Sequence, residues 1–160
     1  MIEKTIRNAT RIFVINQLGE ILAIKYHDDA KRIPGFYDLP GGKIENGESS
    51  YDCVIRETLE ETGINITEPL FIGNIKLEND TTIFNFTVFV KTIDKVSLSR
   101  VEINDTEWII DENIRDKNIT PVLAVRSLMY DALHQNKHFH AEIISTGPKE
   151  SIMGMKYEVF

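Results

Sequence analysis

One cysteine, Cys53, stands in 160 residues. No disulfide can close within the chain, and the composition fits a reducing compartment. Basic residues are scarce: 18 Lys and Arg face 25 Asp and Glu, a net charge of −7. A protein that grips duplex nucleic acid needs a basic face, so that class of partner is excluded. A nucleotide substrate is not, because bound metal ions invert the local sign of an acidic cluster. Long apolar runs are also missing. The opening MIEKTIRNATRIFVIN carries charges at positions 3, 4 and 7, and its apolar stretch is too short for a signal sequence or a membrane span. A cytoplasmic protein with no membrane partner is expected. Internal repeats, low-complexity tracts and linkers are absent too. What is present suits one domain with a real core: 42% apolar and 27% charged residues.

The hydrophobic pattern alternates between strand and helix. Residues 10–16 and 21–25 flank Gln17-Leu18-Gly19-Glu20 and read as a hairpin. A polar loop over 26–34 carries Lys31 and Arg32, just after Lys25. Residues 66–78 and 81–93 read as two strands joined near Glu78-Asn79-Asp80, the second strongly apolar through Phe84, Phe86, Val88 and Phe89. A short strand is expected over 106–110. Thr120-Pro121 opens a helix through about residue 135, with Leu123, Val125, Leu128, Met129 and Leu133 on its packing face. HFHAEIIS and MKYEVF, around Gly147-Pro148, are two further candidate strands that extend the sheet, cap a cleft or swap into a homodimer. Strands on both sides of a central helix, with a final helix, predict an α/β layered domain.

The most informative stretch is residues 42–64, GKIENGESSYDCVIRETLEETGI. Ser49 or Ser50 suits an N-cap and Gly63 a left-handed C′ position, so the spacing predicts a helix from about Ser50 to Thr62. At 100° per residue, Glu57, Glu60 and Glu61 fall within about 100° of arc. Tyr51, Ile55, Thr58 and Thr62 group on the far side, with Val54 and Leu59 flanking, which predicts one packing face and one coordinating face. Cys53 lies near the acidic side and reads as a small apolar filler. Like charges three and four residues apart repel mildly in water, and a hard divalent cation reverses that sign. An all-oxygen set suits Mg²⁺ or Mn²⁺ rather than zinc, and His134, His138 and His140 read as surface residues.

Gly42, Glu48, Arg56, Glu57, Glu60, Glu61 and Gly63 stand at the spacing of a known signature. The stretch resembles the Nudix box, and seven such matches at one start site have a chance of about one in 10⁸. Thr58 departs from the pattern, standing where an aliphatic residue is usual. The lead-in Phe36-Tyr37-Asp38-Leu39-Pro40-Gly41-Gly42 is similar to the family's as well. The resemblance covers roughly residues 8–135. It implies a Nudix-type α/β/α sandwich with a mixed β-sheet over residues 1–136, with 137–160 as an extension. It also implies a MutT-like hydrolase of nucleoside-diphosphate-linked compounds that takes a small nucleotide as substrate.

The resemblance assigns catalytic roles to Arg56, Glu57, Glu60 and Glu61, with Glu57 and Glu61 both open as the general base. Metal ligands are expected at Glu57, Glu60, Glu61 and Gly41. A further carboxylate is expected before Trp108, at Glu102, with Glu107 as its rival. Arg56 is expected to orient a neighbouring glutamate, the alternative being an exposed pair with Glu60. Glu48 and Gly63 are structural parts of the box. Gly42 lets backbone approach a phosphate. Lys25 and Arg32 are candidate phosphate contacts, with exposed loop cations as the other reading. Tyr37 is a candidate for stacking on a base or for the core. A MutT-like base-reading Asn has no clear equivalent: Asn118 lies three residues before Pro121, and Ile119 two before it. A catalytically silent Nudix-fold regulator is the alternative; it normally shows substitutions among the box glutamates, and this chain has none.

Overall fold

The computed structural model describes residues 3–27, 33–96, 98, 104–146 and 151–160. In chain order these form β1 (Thr5–Asn16), β2 (Ile21–Tyr26), β3 (Tyr37–Asp38), α1 (Ser50–Thr62), β4 (Leu70–Glu78), β5 (Thr82–Ile93), β6 (Asn104–Ile109), α2 (Asp111–Ile114), α3 (Pro121–Ala124), α4 (Arg126–Gln135), β7 (Phe139–Thr146) and β8 (Ser151–Val159). Among them no helix is long and apolar enough to cross a membrane.

The strands make one mixed sheet in the order β3-β2-β1-β5-β4-β7-β8, with β6 also paired to β2. β1 runs parallel to β5 from Thr5↔Thr82 to Asn16↔Ile93, and β4 runs parallel to β7. The second half of β1 sits inside the sheet with both faces covered, and there its sequence turns apolar through Ile12, Phe13, Val14 and Ile15, while Thr5–Asn8 is exposed. Its side chains alternate between two cores. Ile12 and Val14 join Leu22, Val54, Ile66 and Phe89 under α1. Phe13 joins Ile75, Phe86, Leu128, Met129, Phe139 and Ala141 under α3 and α4. The arrangement is an α/β/α sandwich.

Two turns use asparagine as a local acceptor. Asn16 Oδ1 accepts from the Leu18 and Glu20 amides at 2.9 and 3.1 Å and closes β1 onto β2. Asn79 Oδ1 accepts from the amides of Thr81 and Thr82 and closes β4 onto β5. Asn79 is therefore a turn residue.

The β1–β2 hairpin is short-lived as a pair. Direct pairing is confined to Ile15↔Ile21, after which the strands splay. The lead-in to α1 fills the wedge: Thr10 N–H donates to Gly42 O at 2.8 Å and Ile12 N–H to Pro40 O at 2.9 Å. The splay places Gly41 and Gly42 between β1 and α1, at the centre of the site described below.

Three expectations are corrected. The helix after Thr120 is two pieces, because Val125 (φ −95°, ψ 18°) leaves helical geometry between α3 and α4. The strand expected from residue 66 starts at Leu70, since Glu68 takes a positive φ of 49° that breaks extended backbone. The packing face of α1 is rotated from the expected one: Cys53, Val54, Thr58 and Thr62 are buried while Tyr51 and Leu59 are exposed. The buried arc swings toward Glu57 and Glu61, so the carboxylates line the edge of the packed face instead of opposing it. Residues 139–146 are integral to the sheet, with Phe139, Ala141 and Ile143 buried in the larger core.

Candidate active site

α1 is fixed at both ends by its own sequence. Ser49 Oγ accepts from the Asp52 amide at 3.0 Å, and Gly63, at φ 76°, donates its N–H to Leu59 O. Inside the helix, the Thr58 and Thr62 hydroxyls donate to the carbonyls of Val54 and Thr58, both at 2.6 Å. Those internal bonds let a hydroxyl occupy a position where an aliphatic residue is usual, without leaving a buried donor unpaired.

The two glycines seat the two half-buried glutamates. Gly41 N–H donates to Glu61 Oε1 at 2.8 Å. Gly41 sits at φ 151°, where a Cβ would strike the Thr10 carbonyl. A Cβ on Gly42 would overlap the Glu57 carboxylate itself. Glycine at both positions is what allows the backbone to reach the carboxylates.

Arg56 ties the rest together. Its Nε and Nη2 donate to the two Glu48 oxygens at 2.7 and 2.9 Å, a bidentate pair. Its Nη1 donates to Glu57 Oε1 at 2.9 Å and to Glu60 Oε2 at 3.2 Å. Its Nη2 also reaches Lys43 O at 3.3 Å. Arg56 thus orients a neighbouring glutamate and pairs with Glu60 at once, and Glu48 holds the 43–48 loop against the helix. The Arg56 hydrogen bonds pull the Glu48 carboxyl down to about 2. Burial pushes Glu57 up, against the opposing pull of Arg56. Burial also pushes Glu61 up to about 8, opposed by the Gly41 amide and Arg11 and assisted by Glu57 and Asp38.

Among the described residues no three His, Cys, Asp or Glu groups converge into a ready-made metal cage. The donor set nevertheless fits a hard divalent cation. Glu57 and Glu61 are oxygen donors held at elevated proton affinity by burial, and that is the condition a dication relieves. His134 and His138 are exposed and His140 faces Glu142 at 3.7 Å, so the histidines form no such group.

Beside this helix edge lies a cavity of about 100 Å³ lined by Arg11, Tyr26, Asp38, Phe84, Phe86 and Thr120, among others. Its floor is a buried polar network that sequence reasoning missed. Asp38 Oδ1 accepts from the Leu39 amide at 2.7 Å and the Thr120 hydroxyl at 2.8 Å. Asp38 Oδ2 accepts from Arg11 Nε and from the Tyr26 hydroxyl, each at 3.3 Å. Burial lowers the proton affinity of the Arg11 guanidinium, and Asp38 more than offsets it. Burial and the Asp38 carboxylate push the Tyr26 phenol up. Arg11 also lies over the Phe86 ring, 4.8 Å from its centroid, and the Phe84 and Phe86 rings stack at 5.6 Å. The available sequence signal was Arg11, directly before the apolar run Ile12–Ile15 of β1, and an aspartate just before Leu-Pro-Gly-Gly.

The remaining candidates separate. Tyr37 is core, with Lys25 Nζ and Lys117 Nζ over its ring at 5.8 and 4.9 Å. Lys25 therefore sits on Tyr37, and neither residue is among the cavity's lining. Asn118 is exposed and its carbonyl accepts from the Tyr37 amide at 2.8 Å; Thr120, directly before Pro121, is the residue that reaches the cavity. Glu107 is exposed on β6 opposite Ala23. Arg32, Lys31 and Glu102 lie outside the described residues.

The NUDIX domain pattern matches residues 5–140. A MutT-like protein of Streptomyces ambofaciens is 30% identical over 140 residues, which is 84% of each chain. A putative 8-oxo-dGTP diphosphatase of Bacillus subtilis is 40% identical over 62 residues, 39% of this chain and 38% of that one. Nudix hydrolase 8 of Arabidopsis thaliana is 28% identical over 102 residues, and only 27% of its length is covered. The crystal structure of a MutT protein from Bacillus halodurans superposes with a TM-score of 0.76 at 20% identity, covering 95% of this chain and 97% of that one. The NUDIX domain of Shewanella oneidensis NrtR, solved with ADP-ribose, gives 0.68 at 12% identity over 83% and 90%. The family pattern spans most of the chain and falls on the glutamate helix and its glycine lead-in: the chain belongs to the Nudix family.

Proposed function

We propose that this protein is a Mg²⁺- or Mn²⁺-dependent pyrophosphohydrolase of nucleoside triphosphates or related nucleotides. The observation that carries the reading is the seating of Glu57 and Glu61 on the Gly42 and Gly41 backbone, beside an aromatic cavity with a polar floor. Glu57, Glu60, Glu61 and the Gly41 backbone are the proposed ligands within the described residues, and Glu102 is a proposed further one. A divalent ion held there supplies neutralisation of diphosphate oxygens and acidification of a bound water.

The protein's own groups do the positioning. Gly41 N–H fixes Glu61, and Arg56 fixes Glu57 through the same guanidinium that Glu48 grips. Glu57 and Glu61 are the two candidates to take the proton of the attacking water, since burial raises the proton affinity of both. The nucleoside end is read as lying against this cavity, where Arg11 offers N–H donors beyond those used on Asp38 and Thr10. Most of the rate enhancement is then positioning and electrostatics.

The intact box carboxylates favour hydrolysis over a silent binding role. Relatives named as 8-oxo-dGTP diphosphatases place oxidised guanine nucleotides first in a substrate panel that also contains ordinary nucleoside triphosphates, ADP-ribose and dinucleotides. The experiment is incubation of that panel with Mg²⁺ and chromatographic identification of products. Release of pyrophosphate or a nucleoside monophosphate from at least one compound is expected. Binding of a nucleotide with no turnover of any would favour the regulator instead.

A further inference from the structure

β8 ends the sheet, and its outer edge has no strand partner among the described residues. His138 and Phe160 exchange both backbone hydrogen bonds at 2.9 Å. In an antiparallel ladder such pairs alternate with non-bonded ones. The register Phe139↔Val159, Ala141↔Tyr157, Ile143↔Met155 therefore turns the N–H and C=O of Met155, Tyr157 and Val159 outward. An outward row of this kind is a template for another strand.

The side chains on this strand are unusual for an edge left in water. Met155 and Tyr157 are 43% and 60% exposed, and with Val159 they share one face. Lys156 and Glu158 share the other, standing opposite Glu142 and His140 of β7. Two residues apart and opposite in sign, they make the strand self-complementary about Tyr157.

We propose that β8 is the contact of a two-fold homodimer, in which β8 pairs antiparallel with its own copy, centred on Tyr157. That register sets Tyr157 against Tyr157 and Met155 against Val159 as hydrogen-bonded pairs, using the outward groups of all three residues. It sets Lys156 against Glu158 twice as non-bonded pairs, the geometry in which opposing side chains approach most closely. The rung Lys76↔Glu142↔Lys156 then continues into Glu158 of the second copy with alternating sign. Centring on Lys156 or Glu158 would oppose like charges and use inward-facing groups. Because the contact is isologous, it closes at two copies instead of growing into a fibre. A single strand pair buries less than about 1,200 Å², so the dimer belongs to the weak, reversible class, with a Kd on the order of micromolar or above.

The test is sedimentation over a concentration series up to several hundred micromolar. The wild type is expected to shift reversibly from monomer to dimer. Lys156→Glu and Glu158→Lys each create two like-charge pairs and are expected to weaken the dimer about tenfold or more. An equal mixture of the two single variants, or the double variant K156E/E158K, restores opposite pairs and is expected to recover it. A wild type that stays monomeric throughout, or a dimer indifferent to the single reversals, would overturn the proposal. Both residues are exposed, and circular dichroism melts of each variant confirm that mass differences reflect assembly. The readout is mass, so it stands or falls separately from any result on hydrolysis.

Discussion

At the scale of single residues, Gly41 and Gly42 do different jobs though they are neighbours. Alanine at 41 meets backbone, the Thr10 carbonyl, in a conformation that L residues rarely adopt. Alanine at 42 meets the end of a side chain, Glu57. Backbone cannot yield and a carboxylate can. Gly41→Ala is therefore expected to cost several kcal/mol of stability, on the order of 2–4. Gly42→Ala is expected to keep its melting temperature within about 3 °C and to lose turnover by about 10²-fold through displacement of Glu57. Thermal melts and kcat on the same two variants separate these outcomes.

Glu61 gives a residue-scale prediction in pH. Its carboxyl rises from an ordinary 4.5 to about 8 in the folded protein. Between those values the folded state holds a proton that the unfolded state has lost, so raising pH destabilises the metal-free fold across that window. Melts in chelator are expected to show stability falling from about pH 5 to pH 8 by roughly 2 kcal/mol or more, and Glu61→Gln is expected to remove most of that slope. Equal slopes in both proteins would contradict the burial of Glu61. The glutamates of α1 were legible in the sequence because Glu57, Glu60 and Glu61 carry a fixed local spacing. The partial burial of Glu57 and Glu61, with Glu60 left exposed, was not legible, since helical spacing alone does not say which arc of α1 meets the sheet.

At the scale of elements, α1 was readable from Ser50 to Thr62 because its start and stop are side-chain and backbone devices written locally, at Ser49 and Gly63. The break at Val125 was not, since an apolar residue gives no local sign of leaving a helix. The fate of β7 was harder still. Its sequence suggested a strand, but only the parallel register with β4, Gly73↔Phe139 through Glu78↔Ile144, makes it part of the domain. Phe139 lies fully buried against Gly73, where a Cβ would overlap its ring. Phe139→Ala is expected to destabilise by about 3–5 kcal/mol, measured by denaturant unfolding. A change below about 1 kcal/mol would mean that β7 is an appendage after all.

At the scale of the whole molecule, the site exists because β1 and β2 part after one rung and let residues 40–44 into the sheet. That wedge brings the glycines to α1, and it brings Asp38 to Arg11 and to Thr120, 82 positions away in the chain. Contacts of that separation have no local signature, and so the cavity floor was invisible in the sequence while the glutamate helix was plain. The combined result is a carboxylate-lined helix edge and an adjoining cavity with a polar floor, proposed above as the places for a diphosphate with its metal and for a nucleoside.

The most direct test of that account is the Mg²⁺-dependent release of pyrophosphate or phosphate from the best substrate in the panel, by the wild type and by Glu61→Gln side by side. The account predicts turnover that chelator abolishes and Mg²⁺ restores, with Glu61→Gln slower by about 10²-fold or more. Equal turnover by the two proteins, or turnover that persists in chelator, would contradict it.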